Sequence, residues 1–495
     1  MKQTELDEPP PDGVALQTRT AVAGQGNKWS QRETPVKIEG NLTNEGMSIT
    51  ISSILISKKL NINYPKNIWG NFPKANKQKL LDNIIYIFTA HLPLIFSRTL
   101  SLEYNIGYPQ VYSWVHQCFM RHLPAYWHLH NKKRGTKILP LLKNILNSHS
   151  NFELKKESFT DFAQTKTENV IIPFTFGKDS LLSYNIAKEI GLKPTLVYFN
   201  DPIEDYEGKH KKQLIEKFTA DTGEQIHYLE NHLGKLRSPG EGWFGWELAL
   251  TSWGILSLPF AYTEQAKYII FSNEISCNDF FYDDEGFKIF VDYEQSGQAT
   301  KEISLVTGAI SHGQVLTTTF LQGIYEMAIL AVLKDRYPYS FNYLMSCWAE
   351  NEFAANKRWC ANCSKCARIY VFLTAIGIDP KSAGFEDNLL LEECERFFNI
   401  FGAKASGNCY DSFGTNRDEQ LTAFYLTALR GNRDPLIKKF INSPEYIEAA
   451  NRHDELINKY FGVHTENVTP LHWKKQIDTI FESSLKRFRE ELKTI

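Results

Sequence analysis

The clearest pattern of apolar and polar positions lies between residues 169 and 201. Val170–Phe174 and Leu196–Phe199 are short apolar runs with β-branched residues, which suit buried parallel strands. Between them, apolar residues recur at helical spacing and stop before Gly191, a suitable helix end. Two further strand-like runs, Gln225–Leu229 and Tyr268–Phe271, follow helical segments. The pattern predicts an α/β core with a parallel sheet and right-handed crossovers.

The rest of the chain divides into three segments. Residues 1–40 are polar and rich in Pro, Gly, Thr and Gln, which predicts a disordered or extended segment. Alternating apolar positions on both sides of Asn44–Gly46 indicate a β-hairpin, and helical periodicity runs from Lys74 to about Ser148. After Glu386 the periodicity is helical, beginning with Asn388–Ile400. We expect an accessory domain at 41–165, the core at 166–385 and a helical domain at 386–495.

Length and charge limit the classes of partner. A chain of 495 residues can form two or three domains with substantial cores. The formal net charge of −2 does not indicate nucleic acid binding. No apolar run is long enough to span a bilayer, and no segment resembles a signal peptide. We expect a soluble, cytoplasmic protein with no membrane partner, and the sequence leaves its oligomeric state open.

The turn Thr175-Phe176-Gly177-Lys178-Asp179-Ser180 joins the first predicted strand to its helix. Amide N–H groups at a helix start have no acceptor within the helix, and the helix dipole is positive there, so such a turn binds anions. Gly177 would let a phosphate approach the backbone, Lys178 would add charge and the Ser180 hydroxyl could donate a hydrogen bond. Asp179 could cap the helix or contact a metal. An ordinary strand-to-helix turn is the alternative.

Polar residues follow two other predicted strands. Asn200 ends the second strand, and Glu274, Asn278 and Asp279 follow the strand Tyr268–Phe271. Ligands of open α/β sheets bind beyond the carboxyl ends of the strands, so we expect these side chains to meet whatever the turn binds. Trp243, Phe244 and Trp246 are candidates for an aromatic wall around a flat ligand.

Four cysteines form the pattern C-x12-C-x2-C-x2-C: Cys347, Cys360, Cys363 and Cys366. Four thiolates can complete a tetrahedral shell around zinc, and an iron–sulfur cluster also accepts four cysteines. A reducing compartment disfavours disulfides. We favour Zn²⁺, with an iron–sulfur cluster or no metal as the alternatives.

Two motifs resemble those of known families. TFGKDS at 175–180 resembles the SGGxDS signature of the PP-loop ATP pyrophosphatases, with Thr175 in place of Ser and Phe176 in place of the first Gly. The form SFGKDS, found in relatives of PAPS reductase, has the same aromatic residue. The cysteine segment, with Ser346-Cys347 before it and Gly377-Ile378-Asp379-Pro380 after it, resembles the zinc segment of the QueC-like 7-cyano-7-deazaguanine synthases. The resemblance covers roughly Val170–Pro380.

The resemblance implies ATP-dependent activation of a carboxylate, with Mg²⁺ and Zn²⁺ as metals. In that family the substrate is 7-carboxy-7-deazaguanine, which forms an acyl-adenylate with release of pyrophosphate. Ammonia then displaces AMP to give an amide, and a second activation by ATP dehydrates the amide to the nitrile of 7-cyano-7-deazaguanine. QueC-like proteins of anti-phage operons carry extra domains, and there an amine of a protein partner is the expected acceptor. By this resemblance the catalytic residues are Lys178, Asp179 and Ser180. The ATP-binding set adds Thr175, Phe176, Gly177, Asn200, Glu274 and Asp279.

Two other functions fit parts of the sequence. PP-loop enzymes that thiolate tRNA use cysteines to hold an iron–sulfur cluster or to carry sulfur. A PP-loop domain that has lost catalysis could instead serve as a scaffold for the helical ends. The acceptor of the activated carboxylate, ammonia or a protein amine, is also left open.

Overall fold

A computed structural model describes residues 33–128, 138–154, 162–201, 205–236, 244, 246–349, 352–402 and 416–495. Most of the predicted N-terminal segment 1–40 therefore lies outside the described residues. The first described part of the chain alternates strands and helices: β1 Thr34–Leu42, β2 Gly46–Ser52, β3 Ser57–Asn63, α1 Lys66–Asn71, α2 Lys74–Thr89, α3 Leu92–Ile95, β4 Leu100–Tyr104, α4 Tyr112–Tyr126, α5 Ile138–Asn147 and β5 His149–Asn151. The predicted hairpin is confirmed, because β1 and β2 pair antiparallel with Leu42 opposite Met47. Strand β4 was not predicted.

The middle of the chain has the predicted alternation of strands and helices. Its elements are β6 Lys166–Pro173, α6 Lys178–Glu189, β7 Lys193–Asn200, α7 Asp205–Thr222, β8 Ile226–Asn231, α8 Ala249–Leu256, α9 Leu258–Glu264, β9 Ala266–Phe271, β10 Phe280–Tyr282, β11 Lys288–Phe290, α10 Gly297–Ile310, β12 Leu316–Thr319, α11 Glu326–Arg336 and α12 Ser364–Ala375.

The C-terminal region is helical, as predicted: α13 Arg417–Leu429, α14 Pro435–Ile441, α15 Pro444–Asn451, α16 His453–Tyr460 and α17 Leu471–Leu492. The expected α-helix Asn388–Ile400 is wrong, because this stretch forms the short 3₁₀ turns Glu392–Phe397 and Asn399–Phe401. Its buried residues Cys394, Phe397 and Ile400 recur every three positions. That spacing matches the three residues per turn of a 3₁₀ helix.

One sheet of ten strands runs through the molecule in the order β12-β9-β6-β7-β8-β3-β2-β1-β4-β5. Strands β12, β9, β6, β7 and β8 are parallel to one another, and β3 joins this half by antiparallel pairing with β8. Strands from the predicted segments 41–165 and 166–385 thus share a single sheet. Within the parallel half, the chain leaves β6 toward β7 on one side and later returns to β9 on the other. This reversal is the position at which open α/β sheets bind ligands.

The pleat of the parallel strands separates two hydrophobic cores. Val170 and Ile172 of β6 pack on one face with α6, α11, α12 and the C-terminal helices. Ile171, between them, packs on the other face with α2, α4, α8 and α9. Successive side chains of a strand point to opposite faces, so an uninterrupted apolar run is what a strand buried on both faces requires. Among the described residues, no helix has the length and apolarity needed to cross a membrane.

Candidate active site

A cavity of about 400 Å³ lies beyond the carboxyl ends of β6, β7 and β9. Thr175, Asp201 and Ser272, each one or two residues past its strand, line it. Its walls also include residues of α4, of the first turns of α6 and α7, and of the start of α12. The cavity therefore occupies the reversal point of the sheet.

The turn Thr175–Ser180, which the sequence predicts to bind phosphate and which we call the phosphate loop, is held in shape by its own hydroxyl groups. The amide of Thr175 donates to Ser180 Oγ over 3.2 Å, and Ser180 Oγ donates to the Gly177 carbonyl over 3.1 Å. Helix α6 begins at Lys178, so the amides of its first turn are directed at the cavity end of the loop. The Ser180 hydroxyl thus closes the turn and lines the cavity at the same time.

Phe176 occupies the position at which the PP-loop signature has its first glycine, and its backbone explains why a glycine suits that position. Its φ angle is 59°, in the left-handed region that residues with a side chain seldom adopt. The fully buried ring packs against Phe174 at 4.9 Å and against Phe218 at 6.0 Å between centroids. Burial of the ring offsets the backbone strain. The side chain does not line the cavity, so only its backbone could contact a ligand there.

The fold itself does not require a glycine at position 177, because its φ is an ordinary −70° and an added Cβ would make only van der Waals contacts. A Cβ atom at this position would lie 3.4 Å from Thr175 Oγ1, 3.6 Å from Ser346 Oγ and 3.9 Å from Asp179 Oδ2. The absent side chain leaves a small concavity bordered by these oxygens.

A network of buried charges surrounds Lys178. Its ammonium group lies 2.7 Å from Asp179 Oδ1 and 2.9 Å from Glu326 Oε2, and Arg368 Nε lies 3.5 Å from Glu326 Oε1. Burial alone would lower the pKa of Lys178, but Asp179 and Glu326 outweigh it and hold the pKa above its usual value. Burial likewise opposes ionisation of Glu326, yet Arg368 and Lys178 lower its pKa. Lys178 and Glu326 are therefore both charged at neutral pH.

Lys211 connects the loop to the cysteine segment. Its ammonium group donates to the carbonyl oxygen of Thr175 and, over 2.8 Å, to that of Met345. The Met345 amide in turn donates to the Phe176 carbonyl over 2.8 Å. Burial lowers the pKa of Lys211 and raises that of its neighbour Glu207, whose carboxylate lies 3.9 Å away.

Of the four residues predicted at other strand ends, Asn278 bonds Gln322 and Gly297 and does not line the cavity, and the other three occupy different places. Glu274 is buried and lines the cavity, and its carboxylate accepts hydrogen bonds from the amide, over 2.7 Å, and the hydroxyl of Ser276. Burial, reinforced by Glu326, raises the pKa of Glu274 to about 8. Asn200 and Asp279 do not line the cavity. At the end of β7, Asp201 lines it instead.

The four predicted metal ligands come together. The Sγ atoms all lie within 4.8 Å of one another in a cluster formed by Cys347, Cys360, Cys363 and Cys366. Cys360 Sγ lies 3.5 Å from Cys363 Sγ and 3.7 Å from Cys366 Sγ. The amides of Ala349 and Cys366 donate to the sulfurs of Cys347 and Cys363. This set could hold a metal ion, and its all-sulfur composition is consistent with zinc.

The cysteine segment also forms one wall of the cavity. Cys363 caps the start of α12, and Lys365 and Arg368 of that helix line the cavity together with Ser346 and Trp348. The ammonium group of Lys365 lies 4.2 Å from the centre of the Trp348 ring. We call this side of the cavity, with Thr175–Ser180, Lys211, Lys365 and Arg368, the basic end.

The opposite side, which we call the acidic end, is formed by His122, Tyr126, Glu247, Trp253, Asp292 and Glu294. Glu294 accepts from the amides of Leu250 and Thr251, over 2.8 and 2.6 Å, and so caps α8. Burial raises its pKa to about 8. Tyr126 Oη donates to Glu247 Oε2 over 2.8 Å.

Of the three residues predicted to form an aromatic wall, only the side chain of Phe244 lies in the described part of the chain. Trp243 and the side chain of Trp246 lie outside the described residues, and Phe244 is buried against Tyr126 with ring centres 4.6 Å apart. Trp253 and Phe199 line the cavity, with nearly parallel rings whose centres are 5.7 Å apart.

Sequence reasoning missed Lys211, Glu326, Lys365 and Arg368. Arg368 had a recognisable signal, because it is the only charged residue between Ala367 and Ile378 of an otherwise apolar stretch, and such charges are seldom buried without a partner. Lys211 had none, because it stands among Lys209, His210 and Lys212.

Comparisons of the chain with models of protein families, with curated proteins and with solved structures gave no match. The resemblance to PP-loop and QueC-like enzymes therefore stays a prediction.

Proposed function

We propose that this protein activates a carboxylate with ATP and transfers the acyl group to an amine. The observation that carries the proposal is the phosphate loop at the reversal point of the sheet, next to four cationic side chains: Lys178, Lys211, Lys365 and Arg368. Asp179 and Glu326 balance two of these charges, and burial keeps much of Glu274 protonated at neutral pH. Asp201 and Glu207 also line the cavity, so the support for triphosphate binding comes from the four cations and the amides at the start of α6 rather than from a net positive charge.

Adenylation requires stabilisation of a pyrophosphate leaving group. A carboxylate oxygen of the substrate attacks the α-phosphorus, and the bond to the β-phosphate breaks with its electron pair leaving on pyrophosphate. Amides of the first turn of α6, together with Lys178 and Ser180, would stabilise that developing charge. The amine then attacks the acyl carbon, loses a proton and displaces AMP.

Asp179 is the residue of the loop that would bind Mg²⁺. One oxygen of this carboxylate binds Lys178, and the other, Oδ2, borders the concavity at Gly177. A carboxylate facing phosphate oxygens is the usual protein ligand of Mg²⁺ in nucleotide sites, where the ion neutralises phosphate charge.

We infer that the cysteine cluster binds one Zn²⁺. Zinc–sulfur bonds of about 2.3 Å in a tetrahedron place the sulfurs roughly 3.8 Å apart. The separations of 3.5 and 3.7 Å around Cys360 agree with this value. An iron–sulfur cluster would require wider spacing, because several iron and sulfide atoms lie between its cysteine ligands. The narrow sulfur spacing also weighs against a tRNA thiolation enzyme whose cysteines hold an iron–sulfur cluster.

The proposed substrate is 7-carboxy-7-deazaguanine, with ammonia or a protein amine as acceptor. The test is exchange of labelled pyrophosphate into ATP, with that acid as the variable component and benzoate as the control carboxylate. We expect exchange with the acid and none with benzoate. Absence of exchange, together with absence of ATP binding, would support the scaffold alternative instead.

A further inference from the structure

The cavity continues past the phosphate loop without a break. Glu274 lies between its two ends: its charge acts on Lys178 and Glu326, and it accepts from Cys277 Sγ over 3.6 Å. Cys277 in turn lies 3.8 Å from Gln295 Oε1, and Gln295 donates to Asp292 at the acidic end. One ligand bound beside the loop can therefore reach the acidic end.

The two ends differ in charge. Among the described residues, the lysines and arginines that line the cavity all belong to the basic end, where Asp179, Asp201, Glu207 and Glu326 also lie. The acidic end has the carboxyl groups of Glu247, Asp292 and Glu294 and no lysine or arginine among the described lining residues, so it offers phosphates no ion-pair partner. The acidic end suits an uncharged group that offers N–H donors.

Two buried polar atoms of the acidic end have no hydrogen-bond partner within the part of the chain that the structure describes: His122 Nε2 and Trp253 Nε1. His122 is only 7% exposed, and both residues line the cavity. Burial lowers the pKa of His122 to about 3, so its ring is neutral at physiological pH. Buried polar groups are seldom left without partners, which points to a ligand that supplies them.

The acidic end also provides a flat apolar surface. The rings of Phe199 and Trp253 are inclined by only 8° to each other. The hydroxyl of Tyr126 is already held by Glu247, so this ring is fixed in its orientation. Aromatic side chains pack against other aromatic rings in offset-stacked or edge-to-face arrangements, so these rings suit a planar aromatic ligand.

We propose that the acidic end is the recognition site for the ring of the acyl substrate, and that the ligand is a planar, uncharged heterocycle with N–H donors and acceptor atoms along its edge. Trp253 Nε1 would donate to a ring acceptor, and Asp292 or Glu247 would accept from ring N–H groups. His122 Nε2 can donate or accept according to its tautomer. The inference rests on the proposed function, because that function places the carboxylate of the ligand toward the loop.

The test compares three single substitutions. Trp253→Phe keeps an aromatic ring and removes only the N–H donor, and His122→Phe removes the ring nitrogens. His116→Phe is the matched control, since His116 lies on the same helix but bonds Tyr86 over 3.0 Å and does not line the cavity. In pyrophosphate exchange, we expect the first two to raise the KM for 7-carboxy-7-deazaguanine about tenfold, the usual loss of one buried hydrogen bond. The KM for ATP should stay within about twofold, and His116→Phe should change neither value. Should His122→Phe fail to fold, as judged by circular dichroism, Trp253→Phe carries the test.

Equilibrium dialysis of 7-carboxy-7-deazaguanine without ATP separates the two proposals. If the wild type exchanges pyrophosphate but neither substitution changes the KM for the acid, the recognition site is overturned and the proposed function stands. If the wild type shows no exchange yet binds the acid through Trp253 and His122, the function is overturned and the recognition site stands. If the acid neither binds nor supports exchange, both are overturned.

Discussion

The two ends of the cavity differ in origin as much as in charge. The basic end combines the phosphate loop, the start of α7 and the cysteine segment, all from the middle of the chain. The acidic end combines His122 and Tyr126 of α4 with residues around α8 and with Asp292 and Glu294. The first is suited to charge that develops during a reaction, and the second to the shape and edge of a ligand. Chemistry and selectivity can therefore be disrupted separately.

The largest effect is expected from disruption of the proposed zinc site. Cys360→Ser removes one of four thiolates from the cluster that shapes the wall carrying Lys365 and Arg368. Structural zinc contributes on the order of 10 kcal/mol to folding, so pyrophosphate release should disappear. Metal content measured by mass spectrometry should fall to background. Cys394→Ser, at a buried cysteine outside the cluster, is the control and should retain the metal. Full activity of metal-free protein would contradict this role.

Each end of the cavity contains a buried glutamate, and substitution of the two should lower the free energy of unfolding by different amounts. Glu326→Gln leaves Lys178 and Arg368 without their shared carboxylate, which should lower the free energy of unfolding by about 3–5 kcal/mol. Glu294→Gln breaks hydrogen bonds to neutral groups and should lower it by about 1–2 kcal/mol. Urea unfolding measures both. Equal losses would show that the charge network adds nothing to stability.

The difference in the free energy of unfolding between the wild type and Glu294→Gln should also depend on pH. Burial raises the pKa of Glu294 in the folded protein to about 8 from the ordinary 4.5, so the folded state binds more protons between these values. The stability that Glu294 contributes is therefore complete below about pH 4.5 and is lost as the pH rises toward 8. Urea unfolding of the wild type and of Glu294→Gln should give free energies that converge over this range. A gap that widens with pH would contradict the assigned protonation.

Substitutions in the loop should abolish chemistry without unfolding the protein. We expect Asp179→Ala and Ser180→Ala each to reduce pyrophosphate release by about 100-fold or more, because each removes a group that the proposed mechanism assigns to the leaving group or its Mg²⁺. Ser183→Ala, one turn further along α6 and away from the cavity, is the control. Normal release by both loop variants would remove the phosphate loop from the mechanism.

The smallest effect separates two acidic residues that follow β9. Glu274 lines the cavity and Asp279 does not, so Glu274→Ala should lower turnover about tenfold while Asp279→Ala leaves it unchanged. Steady-state kinetics at saturating ATP measures the difference. A loss at Asp279 as large as that at Glu274 would mean that the ligand extends beyond this cavity.

Local sequence patterns predicted the basic end better than the acidic end. The loop, Glu274 and the four cysteines could be identified because each lies in a short motif or at the end of an apolar run. Lys211 and Glu326 could not, because only the packing of α7 and α11 brings them to the loop. The sheet also extends further than the patterns indicated, since β4 pairs with β1 across an interval of helices.

The acidic end had no local signal. His122 and Trp253 come from separate helices, and neither lies in a short motif or at the end of an apolar run. His122 is buried at the cavity. The position of His122 at the cavity depends on how α4 packs against α8 and the segment after β11. The periodicity of α4 does not predict that packing.

The most direct test of the central claim follows oxygen atoms. With 7-carboxy-7-deazaguanine labelled by ¹⁸O in its carboxylate, a single turnover in the presence of ATP and ammonia should transfer one ¹⁸O to AMP, detected by mass spectrometry. That transfer follows from attack of the carboxylate oxygen on the α-phosphorus and from later cleavage of the acyl C–O bond. Unlabelled AMP, or ADP in its place, would contradict adenylation of the carboxylate.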